Sequence, residues 1–200
     1  YSAVNSIADL TTQFRSLLTA ATNAASTDSS SVTASATEML SEMASLLNTQ
    51  YSGSYLFGGS HTEQAPVDVS GTTYAAATSP STADTSYYQG DSAVASVRVS
   101  DSQTVSYGVT ADTTAFEQIM RAMNLVANNS PLTTATLNEA LNLTTSSVGA
   151  LGVVQTKISN ASASIEKASA PQTDYQSYAQ TRGSAPTRVH VRPGQAHFCP

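Results

Sequence analysis

The chain has 200 residues, enough for one large domain or two small ones. Only 11% of them are charged, with 8 Lys and Arg against 14 Asp and Glu and a net charge of −6, where about 25% charged is usual. All the acidic residues but only five of the basic ones precede residue 181, so the body of the chain lacks the clustered Lys and Arg that phosphate contacts need, and no nucleic-acid partner is expected. Ser, Thr, Ala, Asn and Gln take the place of charge, which suits a secreted protein or a surface packed against copies of itself. Cys199 is the one cysteine, so there is no intrachain disulfide. No apolar run approaches the ~18 residues of a membrane-spanning helix, so no membrane insertion is expected, and no leader of basic, apolar and then small residues opens the sequence.

Over residues 4–25, Val4, Ile7, Leu10, Phe14, Leu17 and Ala21 recur at spacings of three and four, which predicts one apolar helix face. Asp28-Ser29-Ser30-Ser31 breaks the pattern. It resumes over 32–51 with Val32, Ala36, Met39, Met43 and Leu46-Leu47, and a short loop between two such helices implies an antiparallel hairpin. Residues 66–110 have strand character. Val97 and Val99, then Val105, Tyr107 and Val109, alternate with polar residues around Asp101-Ser102, so 94–109 is expected to be a hairpin. Val67, Val69, Tyr74, Tyr87 and Tyr88 have strand-type side chains, interrupted by Ser79-Pro80-Ser81. Thr114 and Glu117 have capping-box spacing, followed by Phe116, Ile119, Met120, Met123 and Val126 at helical spacing up to Asn128-Asn129-Ser130-Pro131. Residues 133–169 then predict the longest helix, about 55 Å, with Leu137, Leu141, Thr144, Val148, Leu151, Gln155, Ile158, Ser162 and Ile165 on a 3-4 seam weakened by its polar members.

The stretch from Leu47 to Gly59 joins the two regimes. Gly53, Gly58 and Gly59 permit positive φ, and Gly58 or Gly59 is expected to use it, with Ser60 as an indifferent neighbour. Tyr55, Leu56 and Phe57 are expected to plug the space under the junction. The reading is an α+β fold: an elongated antiparallel helical bundle, or rod, from residues 1–52 and 114–170, carrying a β-rich inserted lobe at 53–113. Residues 181–200, with Arg182, Arg188 and Arg192 but no period, are expected to be a disordered or non-native tail.

Asn48 to Gly59 resembles the end of the second rod helix in bacterial flagellins and hook–filament junction proteins, which read Asn, a few residues, Gly, then Tyr-Leu-Phe-Gly/Ala-Gly. Tyr88-Gln89-Gly90-Asp91 with Val97-Arg98-Val99 is similar to the β region of that family on its junction-protein side, and Leu151-Gly152-Val153-Val154-Gln155 to the Leu-Gly-x-x-Gln of its returning helix. The three pieces stand in the family order across most of the chain. The resemblance implies an extracellular structural subunit of the flagellum, without enzymatic activity or cofactor, whose partners are copies of itself or other flagellar axial proteins. It also implies further helices beyond both ends. The chain is therefore expected to be a central fragment that stays monomeric. Gln13-Phe14-Arg15-Ser16-Leu17-Leu18 resembles the flagellin stretch Gln-Arg-x-Arg-Glu-Leu; Arg15 matches and Ser16 replaces the Glu, which leaves Arg15 as a candidate subunit contact.

No phosphate loop, nucleophile elbow, zinc spacing or calcium loop is present. His61 with Glu63 offers too few ligands for a metal, and Glu38 and Glu42, one helical turn apart, read as a wet helix face rather than an acid–base pair. No catalytic, metal or cofactor-binding residue is assigned. Tyr74, Tyr87, Tyr88 and Tyr107 all fall in the β region. A phenol has a flat apolar face and a hydroxyl, suited to sugar rings or subunit contacts, and equally suited to a half-buried strand. These four are the ligand-contact candidates under the alternative function, a cell-surface flagellin homologue that binds polysaccharide or a host ligand.

Overall fold

The computed structural model describes residues 2–23, 29–100 and 103–183. Helices α1 (Ser2–Asn23) and α2 (Ser29–Leu47) come first. The lobe follows, with two short hairpins, β1 (Gln50–Tyr51) with β2 (Ser54–Tyr55) and β3 (Ser96–Ser100) with β4 (Gln103–Ser106). Helices α3 (Thr114–Asn128) and α4 (Thr134–Gly183) complete the chain. The architecture is α+β, a helical bundle with a small β insertion, as the periodicity predicted.

Neighbouring helices close a ring: α1 packs on α2, α2 on α3, α3 on α4 and α4 back on α1. The core is the apolar faces read from the sequence, with local shifts. On α1 the buried set is Ala3, Val4, Ile7, Leu10, Thr11, Phe14, Leu18 and Ala21. Leu18 rather than Leu17 is fully enclosed, since a 3.6-residue period carries the face one position on after four turns. On α2, Leu40 and Ala44 are buried, and the expected Met39 and Leu46 flank the core half-covered.

α3 and α4 are antiparallel. Ser147 Oγ donates to Ala115 O at 2.6 Å, although 32 residues separate them in sequence; both lie the same distance from the connection between the helices. The α4 seam keeps Leu137, Thr144 and Leu151, but its alternate positions are Ala140, Ser147, Val154 and Ala161, not Leu141, Val148, Gln155 and Ser162. Three of these four, Ala140, Ser147 and Ala161, are small, while the expected Leu141, Val148 and Gln155 are half-covered and Ser162 is exposed. α4 also continues past Pro171 to Gly183. Its fifty residues span about 75 Å at 1.5 Å each. The helix therefore takes in the first three residues of the expected tail; residues 184–200 lie outside the described ones.

Three local expectations fail for identifiable reasons. The Thr114–Glu117 capping box does not form: Thr113 is the N-cap, without a side-chain bond to the helix, because Glu117 is turned inward, 2.9 Å from Arg121 Nε. Between 66 and 90 the backbone pairs only at an isolated bridge, Val67 with Tyr88. The rest is irregular chain held mainly by side chains, which have no period to read. Of Tyr55-Leu56-Phe57 only Phe57 is a plug, while Leu56 is exposed.

Candidate functional site

Among the described residues no three His, Cys, Asp or Glu are placed to hold a metal. Exposed Glu38 and Glu42 occupy a wet face of α2. The places that could carry function are the rod–lobe junction, the outer faces of the helices, and the surface of the lobe.

At the junction α2 ends at Leu47, and the Asn48 side chain replaces the next stretch of backbone. Its Nδ2 donates to Val67 O at 2.8 Å and its Oδ1 accepts from Val67 N at 2.9 Å. The chain then turns through Ser52 and Gly53, both at positive φ. Phe57 packs edge-on against Phe116 of α3, ring centres 5.7 Å apart, and its carbonyl accepts from Ala111 N at 2.9 Å. One side chain and one backbone bond thus tie the lobe's first residues to its last.

Gly59 is at φ 72°, and a Cβ there would collide with Asp91. Gly58 takes the other constraint, since a Cβ would come 2.5 Å from His61 O. The expectation of a positive φ at Gly58 or Gly59 is met at Gly59. Ser60 is not an indifferent neighbour: its N donates to Asp91 Oδ1 at 2.8 Å and its Oγ to Asp91 Oδ2. Ala93 N adds a third bond at 3.0 Å, and His61 Nε2 stands 3.9 Å away. The Ser60 hydroxyl first, then the Ser60 and Ala93 amides, hold the Asp91 carboxyl down to about 2.

The four tyrosines do not form one face. Tyr74 and Tyr87 are core residues packed edge to face, centres 5.1 Å apart; Tyr87 Oη donates to Ala111 O at 3.0 Å, and burial pushes both phenols well up. Tyr88 is half-buried, donates to Asp91 O at 2.6 Å, and is pushed up to about 12, by burial first and then by the charges of Asp112 and Asp91. Tyr107 alone is largely exposed, at 46%. Arg15 is exposed on α1, beside the edge of its buried face.

The β3–β4 hairpin lies on α4. Val105 and its neighbours Thr104 and Ser106 face Gly152, Val153 and Lys157 across an open groove of about 710 Å³. Val153 is 70% exposed.

No protein-family model matches the sequence, and no curated protein does. Solved structures do match in shape. A protein described as a flagellar hook-associated protein, from Vibrio parahaemolyticus, superposes with a TM-score of 0.61 at 19% identity over 90% of this chain and 82% of that one. FlgL of Bacillus cereus gives 0.63 at 13% identity, with the same two coverages. FlgL of Xanthomonas campestris gives 0.56 at 13% identity, covering 92% of this chain and 91% of its own. The chain has the fold of these proteins. The junction residues Asn48, Ser60 and Asp91 escaped the sequence reading as contacts; the Asn48 and Asp91 of the quoted motifs were the only signal for them.

Proposed function

We propose that the protein is a structural subunit of the bacterial flagellum, a flagellin homologue of the filament or of the hook–filament junction. It works outside the cell through contacts with copies of itself or with other axial proteins, and it is not an enzyme. The observation that carries this reading is the shared fold with flagellar hook-associated proteins along nine-tenths of the chain. A bundle of packed helices with few charges supports it, since such a surface packs side by side with little charge to desolvate. Among the described residues no helix is long and apolar enough to cross a membrane. The burial of Tyr74 and Tyr87 weighs against a polysaccharide- or host-ligand-binding module, because two of its four candidate contacts are inside the lobe.

Immunogold labelling with an antibody raised to residues 53–113 tests the proposal. Label along filaments identifies a filament subunit, and a single band at the hook identifies a junction subunit. Label over the cell body alone would overturn the flagellar reading.

A further inference from the structure

The segment between Tyr74 and Tyr87 crosses the outside of α3 and α4. Both ends are buried aromatic anchors, but from 75 to 84 the chain is mostly exposed, and only Ala77 packs against the core. Among the described residues no backbone-to-backbone hydrogen bond joins 75–84 to another segment. Side chains of the two helices hold it instead, and they grip its main chain. Asn124 Nδ2 donates to Ala75 O and Asn129 Nδ2 to Ala77 O, each at 2.8 Å. Glu139 accepts from Ser79 Oγ at 2.5 Å, and from Ser81 N and Oγ at 2.7 and 2.5 Å. Glu117, buried and 2.9 Å from Arg121, accepts from Asp84 N at 3.1 Å.

We infer that residues 75–84 are a strap that opens as a unit of its own, uncovering a face of Glu117, Arg121, Asn124, Asn129 and Glu139 built to hold extended backbone. The parts on either side have separate fastenings. Asp68 N donates to Tyr87 O at 2.9 Å, Gln89 N to Pro66 O at 2.8 Å, and Asn48 clasps Val67. None of these uses a strap residue, and α3 and α4 pack on each other directly. A segment with exposed backbone, little apolar burial and side-chain anchors in place of backbone pairing, Glu139 at its middle and Glu117 at its end, belongs at the low end of local stability.

Hydrogen exchange on the intact chain tests this. In Glu139→Ala the Ser81 and Asp84 amides should exchange faster by about tenfold or more, while those of α3, of α4 and of Asp68 keep their wild-type rates. Ser79→Ala/Ser81→Ala, which removes both hydroxyl donors from the exposed strap, should accelerate the Asp84 amide likewise. Unchanged exchange at Asp84 in both variants would overturn the inference, because Glu139 would then not be the anchor. So would equal acceleration through α3, because the strap would then open only with the bundle. If Glu139→Ala fails to fold, the double variant decides by the same two readings.

Discussion

Single residues at the junction show how few atoms decide where the lobe sits. Gly59 presses on Asp91, so no side chain fits, and that contact brings the Ser60 amide and hydroxyl onto the carboxylate. Because the folded carboxyl titrates below the ordinary carboxylate value, the ionised form is the one the fold favours. Its contribution is therefore complete above about pH 4, declines as the pH falls, and is gone below about 2. Since the largest cause is the Ser60 hydroxyl, Ser60→Ala should raise the Asp91 titration midpoint from about 2 toward the ordinary ~3.9. Carboxyl-carbon NMR against pH reads this directly. An unmoved midpoint would show that the two amides alone hold the carboxylate.

Among the elements, the helices were legible and their exact faces less so. Val4, Ile7, Leu10, Phe14, Val32, Ala36, Met43, Phe116, Ile119, Met120 and Met123 are buried where a 3.6-residue period placed them. The α4 seam was half legible: Leu137, Thr144 and Leu151 hold, but the other buried positions, Ala140, Ser147, Val154 and Ala161, each lie one residue before the one a heptad count chose, because Leu141 and Val148 outweigh Ala140 and Ser147 in hydrophobicity and fix that register for the rest. The region 66–90 was misread as strands because Val67, Tyr74 and Tyr87 are buried singly, as anchors of irregular chain, and a strand-type side chain looks the same in both settings. Tyr74 and Tyr87 are lost as candidate surface residues for the same reason, while Tyr107 is exposed and Tyr88 half-buried. The corrected seam makes a measurable distinction. Leu151, at 2% exposure on the seam, and Val153, at 70% two residues on, differ in what truncation removes. Leu151→Ala should cost about 2–5 kcal/mol as a core cavity, and Val153→Ala no more than about 0.5 kcal/mol. Denaturant melts of the two variants should separate clearly; equal losses would mean that α4 is rotated from the orientation described.

At the scale of the whole molecule, a fold found in flagellar axial proteins raises the question of what this chain does by itself. Association in water costs about 4–15 kcal/mol before any contact contributes a net gain, and a stable interface buries roughly 800 Å² per partner in all, around an apolar centre. The surface here offers little of that kind. Among the described residues the exposed large apolar side chains, Tyr51, Leu56, Val94, Val97, Tyr107 and Val153, are divided between the junction turn, the β3–β4 hairpin with its flanks, and α4. Between residues 158 and 170, α4 has half-buried Ile158 and Ile165 on its seam, with exposed Ser162, Glu166 and Lys167 beside them, too polar a row for a self-sufficient helix pair. Charges are sparse, at 11% of the residues, which leaves little electrostatic steering between copies. We therefore expect the 200-residue chain to remain a monomer, with a light-scattering mass near 20.7 kDa from micromolar to roughly millimolar concentration, with or without filament seeds. Long filaments grown from this chain alone would show that the lateral faces, Arg15 among them, suffice for assembly.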